Sequence, residues 1–143
     1  MGYSSRFVAP LIGLGVSSIG DCWDAFAQNE KSLEQYEERV AKGQLPIFRG
    51  HKLSREDVIL RRHVLNLMTR FKTSWDTAEE YVPYLDSVAE RLEPLQCDEL
   101  VKLTARTCEV TDDGRPFLRN ICMAFDACLA RDNSTTQLFS RTI

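Results

Sequence analysis

Side chains able to do chemistry are sparse in this chain of 143 residues, and their spacing argues against most kinds of it. Five cysteines stand at positions 22, 97, 108, 122 and 128, an odd count without the CxxC spacing of a redox motif or zinc knuckle. Cys122 and Cys128 lie six apart, so they do not stack on one helix face. The five read as buried free thiols in a reducing compartment. His51 and His63 read as surface or helix-face residues rather than acid–base groups. A tetrahedral metal site would have to be gathered from these scattered residues, which gives it little support. The pair Asp112-Asp113 before Gly114 reads as negative charge complementing a helix N-terminus, not as a carboxylate dyad.

The elements that must position such groups are bounded by size and charge. The length suits one ordinary domain with a real core. A hydrophobic fraction of 43%, a charged fraction of 27% and a net charge of -3 are those of a soluble globular chain. That charge offers no global attraction to nucleic acid or to an anionic membrane. No run approaches the roughly 18 apolar residues of a membrane span. Arg6 and the short apolar stretch after it resemble a signal peptide only loosely, because Asp21 and Asp24 follow where cleavage would occur. A cytoplasmic location is expected.

Residues 11 to 20 form a short apolar run ending in small residues, which predicts a buried strand entering a close-approach turn. Gly13, Gly15 and Gly20 leave room for another backbone or a flat ligand. Everything downstream reads as helical, so this strand has nothing of its own to pair with. Residues 21 to 29 read as a loop or short strand. Ser32 with Gln35 forms a capping box for a helix to about Lys42, which Gly43 stops. Residues 45 to 50 are extended, since Gln44 and Leu45 precede Pro46.

Ser54 with Asp57 opens the strongest helix, to about Lys72, with Leu60, Val64, Leu67, Met68 and Phe71 on one face. Asp76 and Glu79 start another, which Pro83 breaks or restarts, before an apolar face of Leu85, Val88, Ala89 and Leu92 that Pro94 ends. Residues 100–104 and 107–111 alternate about Ala105-Arg106 and predict a tight hairpin, although Ala-Arg suits a primed turn poorly. Thr111 or Asp113 caps a final helix bearing Phe117, Ile121, Ala124, Phe125 and Cys128. The pattern stops near Arg131. The fold expected is mainly α with a small β-hairpin, winged-helix-like. A winged helix suggests nucleic-acid binding, but 77 to 92 holds Glu79, Glu80, Asp86 and Glu90 against Arg91 alone, a poor groove reader.

Several stretches, in order, resemble the C-terminal part of the oxygen-independent coproporphyrinogen III oxidases (coproporphyrinogen dehydrogenases) of the radical S-adenosylmethionine superfamily. They are Gly2-Tyr3, Gly13-Leu14-Gly15-Val16-Ser17-Ser18-Ile19 and Ala27-Gln28-Asn29, then Arg49-Gly50 with Leu53, Asp57, Arg61-Arg62, Leu67-Met68 and Phe71. Val110-Thr111, Gly114-Arg115, Arg119-Asn120-Ile121, Met123, Phe125-Asp126 and Phe139-Ser140-Arg141 complete the set. Departures from the family pattern are Met1 for a frequent glutamine, Glu99 for a usual glycine and Cys128 for a usual tyrosine.

The resemblance implies a parent enzyme, an oxidoreductase of haem and porphyrin biosynthesis, that oxidatively decarboxylates two propionates of coproporphyrinogen III to vinyl groups, giving protoporphyrinogen IX. It also implies S-adenosylmethionine and a [4Fe–4S] cluster as cofactors. The family's CxxxCxxC cluster motif is absent from this chain, so the chain alone is expected to be inactive. Residues 1–50 would be the end of the radical barrel with its last strand and a connecting segment, 51–131 the helical winged-helix-like domain, and 132–143 a tail. The missing N-terminal barrel would be the packing partner of the unpaired strand. By the same resemblance Ile19 contacts S-adenosylmethionine. Because the substrate coproporphyrinogen III carries four carboxylates, Arg49, Arg61, Arg62, Arg115 and Arg119 draw attention, with Arg61 and Arg119 preferred as substrate-binding residues. Trp23 and Phe26 pack under the barrel rim rather than stacking on the tetrapyrrole. The alternatives are a tetrapyrrole- or haem-binding radical enzyme relative without oxidase activity, and a winged-helix nucleic-acid module.

Overall fold

The computed structural model describes residues 10–131. The Gly2-Tyr3 pair, the tail 132–143 with Phe139-Ser140-Arg141, and the Cys128 side chain lie outside the described residues. The chain divides into two compact units, up to Val58 and from Ile59 onward.

In the first unit β1 (Ile19–Asp21), β2 (Ala25–Asn29) and β3 (Ile47–Lys52) form an antiparallel sheet in that order, with α1 (Leu33–Ala41) between β2 and β3. The expected buried strand at 11 to 20 is therefore corrected. Only its last two residues enter a strand, and that strand pairs with β2. Leu11 makes an isolated bridge to Asp21, while Ile12 and Leu14 are exposed. The physical reason is local. A Cβ at Gly13 would lie 2.8 Å from the Ile19 carbonyl carbon, and Gly15 has φ +95°. The glycines serve a tight backbone crossing and a left-handed turn, which an apolar count reads as strand.

Ser32 is the N-cap of α1, but its side chain makes no capping hydrogen bond, so the expected box is absent there. The C-terminal stop is as read. Gly43 sits at φ +68°, donating to the Val40 carbonyl, and Gln44 donates to that of Arg39. This pair of bonds is the Schellman arrangement. The second predicted box is made in full. Ser54 Oγ and backbone N donate to Asp57 Oδ2 at 2.7 and 2.9 Å, and Asp57 N donates to Ser54 Oγ at 3.1 Å. It opens α2 (Arg55–Arg70), the helix that runs on into the second unit.

The second unit continues with β4 (Lys72–Ser74), a 3₁₀ turn Pro83–Leu85, α3 (Asp86–Cys97), β5 (Val101–Thr104) and β6 (Thr107–Val110). A second 3₁₀ turn, Arg115–Phe117, leads to α4 (Leu118–Met123) and α5 (Ala127–Arg131). The predicted hairpin is present, Thr104 facing Thr107 with their hydroxyls 2.6 Å apart. Neither Ala105 nor Arg106 has positive φ, which is why a turn poor in glycine suffices. A third strand was not read: β4 pairs with β6, giving the order β4-β6-β5. It takes up residues just beyond α2, and Asp76 and Glu79 then lie in a turn rather than starting a helix. Pro94 lies inside α3, not at its end. The single final helix is broken into the 3₁₀ turn, α4 and α5, and Phe117 is exposed. Two sheets make the whole less dominated by helix than expected. No helix among the described residues is long and apolar enough to cross a membrane.

Leu67, Leu85, Val88, Leu92, Cys108, Ile121 and Phe125 are fully buried at the centre of this unit. Gly114 fits because a Cβ there would stand 1.9 Å from the Leu100 carbonyl oxygen. His63 is buried too, at 1% exposure, on the inward face of α2, so of the two expected placements the helix face holds. Its Nε2 lies 2.7 Å from the Glu80 carbonyl, which can only accept, so Nε2 carries the proton and Nδ1 accepts from Thr73 Oγ1 at 2.7 Å. Trp75 and Phe125 flank the ring at 5.8 and 6.1 Å. His51, by contrast, is exposed.

Two predictions follow from these contacts. The end of α3 repeats the Schellman bonds, Glu99 N to Gln96 O at 3.0 Å and Leu100 N to Leu95 O at 2.9 Å, but with a glutamate at φ +58°. Glu99→Gly removes the Cβ strain, and urea denaturation should show about 0.5–1 kcal/mol of added stability. Burial holds the His63 pKa below its ordinary 6.5, partly opposed by the Glu80 carbonyl. The unfolded chain therefore binds a proton that the folded one refuses. The contribution is intact above pH 6.5 and declines as pH falls below it toward the lowered folded value. The urea midpoint should drop over that range in the wild type and less steeply in His63→Gln.

Candidate functional site

The first unit presents an open groove of about 490 Å³ lined by Ile19, Phe26, Gln28, Arg49, Gly50 and His51. Strand register explains the lining. Ile19 pairs with Gln28 and Gln28 with Arg49, while Phe26 pairs with His51 two residues along. Alternation puts both rows on one face of the sheet. Between them Gly20, Ala27 and Gly50 keep the intervening row small. Ile19 and Phe26 supply an apolar floor, and Gln28, Arg49 and His51 supply polar ends.

The glycine loop leads into β1 at Ile19, and Asn29 ties that loop down. Asn29 Nδ2 lies 3.0 Å from both the Gly13 and Gly15 carbonyls and 3.1 Å from Ser18 Oγ. Asn29 N donates to the Ser18 carbonyl and Ser17 N to that of Glu30. Ser17 itself sits at φ 60°. Glu30, 4% exposed, accepts from Arg39 Nε at 2.9 Å. Asn29 was quoted only as part of a family stretch. Its spacing gave no hint that its amide would be the anchor of the loop.

Of the sequence-predicted site residues, Ile19 lies in the groove and is 38% exposed. Arg61, half-buried on α2, and Arg119, exposed on α4, belong to the second unit and are not among the groove's lining residues. Arg115 is engaged elsewhere, its Nη2 2.9 Å from Asp112 Oδ1 and its guanidinium 4.7 Å from the Phe71 ring. Phe26 lines the groove.

Among the described residues, the four cysteines do not fit an iron–sulfur cluster. Cys22 and Cys97 are exposed, which corrects the buried reading for those two. Burial pushes the Cys108 thiol up to about 12, with a smaller contribution from Cys122, and burial alone pushes Cys122 up to about 11. Both stay protonated, whereas a cluster needs thiolates. Among the described residues no three His, Cys, Asp or Glu side chains gather as a metal site.

No family model matches the chain. Curated relatives do. Oxygen-independent coproporphyrinogen III oxidase of Salmonella typhimurium is 35% identical over 147 residues, covering 99% of this chain and 32% of that protein. Its counterpart in Helicobacter pylori is 33% identical, covering 90% of this chain and 29% of its own length. That of Thermostichus vulcanus is 34% identical, covering 99% and 45%. Among solved structures, coproporphyrinogen III oxidase (HemN) from Escherichia coli, a radical SAM enzyme, superposes with a TM-score of 0.81 at 34% identity. That match covers 90% of this chain and 31% of the other. By sequence and fold the chain is similar to a segment of the oxygen-independent coproporphyrinogen III oxidases. It spans about a third of the length of most of the relatives it matches.

If Asn29 fixes the glycine loop, Asn29→Ala should speed hydrogen exchange at the Ser17 amide at least tenfold. The amides of Leu67 and Val88, deep in the other unit, should exchange unchanged. Equal protection at Ser17 in both proteins would count against the anchor.

Proposed function

We propose that this chain is part of an enzyme that oxidatively decarboxylates two propionates of coproporphyrinogen III, giving protoporphyrinogen IX in haem biosynthesis, in a cytoplasmic setting. The observation carrying this reading is the superposition on a radical SAM coproporphyrinogen III oxidase, 0.81 in TM-score over 90% of this chain. When bound, S-adenosylmethionine supplies the radical chemistry of such an enzyme. The groove's composition suits that ligand. Ile19 and Phe26 offer apolar contact to its flat group. In this reading Ile19 touches S-adenosylmethionine, while Arg61 and Arg119 hold substrate carboxylates. The second unit is read as a winged-helix-like cover with no role in nucleic-acid binding.

The rest of the enzyme, a barrel bearing the cluster, is the packing partner of the first unit. Leu11, Ile12, Leu14, Leu45 and Phe48 are all exposed, and none of the described residues before Ile59 belongs to the hydrophobic core. Such a surface has the apolar character of an uncovered interface. Residues 1–50 would complete the barrel and 51–131 cover it. Alone, the chain is inactive and binds S-adenosylmethionine no better than millimolar.

A hybrid in which this chain replaces the homologous third of the Salmonella typhimurium oxidase tests the whole proposal. The hybrid should form protoporphyrinogen IX. Arg61→Gln and Arg119→Gln should raise KM for the porphyrinogen about tenfold, one charge-assisted contact each. A folded, cluster-loaded hybrid without turnover would refute the function. Unchanged KM would remove the two arginines, and micromolar S-adenosylmethionine binding by the 143-residue chain alone would refute its dependence on the barrel.

A further inference from the structure

Within the groove one cation is held ready for a partner. Arg49 Nε donates to Gln28 Oε1 at 3.0 Å, and Gln28 Nε2 donates to the Ser17 carbonyl at 3.4 Å. The two bonds fix which way the Gln28 amide faces, because its nitrogen must meet a carbonyl and its oxygen an N–H. With Nε engaged, the guanidinium keeps its outer edge, Nη1 and Nη2, for another group. Among the described residues no carboxylate forms an ion pair with Arg49. His51, two residues on and in the same lining, offers a further ring nitrogen.

The geometry points to Arg49 as a carboxylate-binding residue of this groove, with Gln28 as its positioning residue. The ligand class is a carboxylate borne on an apolar or flat body. The outer edge of a guanidinium matches the two oxygens of a carboxylate, and Ile19 and Phe26 beside it take the apolar body. An ammonium in place of Arg49 could not offer that fork. The glycine loop enters directly, since Ser17 supplies the carbonyl that turns Gln28. Arg61 and Arg119 belong to the other unit. The inference rests on the oxidase reading for its two possible ligands. The carboxylate is either that of S-adenosylmethionine or a propionate of the porphyrinogen.

The test uses the hybrid oxidase and equilibrium binding, which needs no turnover. S-adenosylmethionine is compared with 5′-methylthioadenosine, which lacks its amino-acid end. Coproporphyrin III, the stable oxidised tetrapyrrole, is compared with its tetra-amide. Arg49→Gln should weaken one carboxylate ligand about tenfold and its carboxylate-free counterpart less than twofold, and the affected pair identifies the source. Arg49→Lys should restore only part of the loss. Gln28→Glu should mimic Arg49→Gln, because the new carboxylate occupies the guanidinium. Unchanged affinity for both carboxylate ligands, or an equal loss for the carboxylate-free counterparts, overturns the assignment. A hybrid that binds in this Arg49-dependent way but never turns over would sink the oxidase reading and leave the carboxylate site standing. An active hybrid indifferent to Arg49→Gln would do the reverse.

Discussion

Two consecutive polar residues, Asn29 and Glu30, hold the first unit together, and the groove depends on them. Before Ile59, Glu30 is the one buried residue among those described. Hydrophobic burial, the usual source of shape, contributes little there. The Asn29 amide gathers the Gly13 and Gly15 carbonyls and the Ser18 hydroxyl, while Glu30 takes Arg39 through its carboxylate and Ser17 through its carbonyl. Its own N–H reaches the Pro46 carbonyl, so one residue joins the glycine loop, α1 and the approach to β3. Only Glu30 of this pair is buried, so removing Arg39 would leave its carboxylate without a cation, which costs more than an exposed pair gains. Directional bonds of this kind fix a loop to a few tenths of an ångström. They leave it weakly defended against opening, since little apolar surface resists the entry of water.

The second unit solves the opposite problem. Its core of aliphatic and aromatic side chains closes on β4-β6-β5, and a single polar ring, His63, sits inside it. That ring is tolerable because both nitrogens are satisfied, by Thr73 and by the Glu80 carbonyl. The second of these bonds reaches the turn preceding the Pro83–Leu85 3₁₀ segment. His63 thereby fixes a stretch whose sequence, rich in Asp and Glu, has little local reason to adopt one shape. Other strains in this unit are of the same type. Phe71 ends α2 at φ 59° and Glu99 ends α3 at φ 58°, neither with the freedom of glycine. Phe71 is held by packing and by the Arg115 guanidinium over its ring. Glu99 is held by the Thr111 hydroxyl on its carbonyl.

What was legible in the residues was whatever local chemistry alone decides. The Ser54–Asp57 box, the Gly43 stop, α2 and the β5–β6 hairpin follow from side chains acting within a few positions of themselves. What was not legible needed a distant partner. β4 exists because β6 is beside it, so residues 72 to 74 gave no strand signal of their own. Pro94 stays within α3 since tertiary packing of Leu92 and Leu95 on the core offsets the missing donor. Residues 11 to 20 failed for a different reason. Alternating small and apolar residues count as strand under periodicity, but the glycines were there for a backbone crossing and a positive φ. The candidate site divides in the same way. Ile19 followed from a family stretch, whereas the Gln28–Arg49 contact arises from register between strands that are about twenty residues apart in the chain.

Register also explains why an arginine at 49 is worth more to a ligand than a better-connected one elsewhere. Arg115 already spends its guanidinium on Asp112 and on Phe71. A flexible arginine on a helix surface must lose several rotamers before it can grip a carboxylate, and that entropy is subtracted from the contact. Arg49 has lost part of it in advance. Its backbone is paired in a sheet, its Nε is tied to Gln28, and Gln28 is tied in turn to the Ser17 carbonyl of the glycine loop. A carboxylate arriving there meets a fork whose orientation is already restricted, beside a floor that needs no polar partner. Stiffness at the site is therefore inherited from Asn29 and Glu30, so the same bonds that substitute for a hydrophobic core in this unit also pre-organise Arg49.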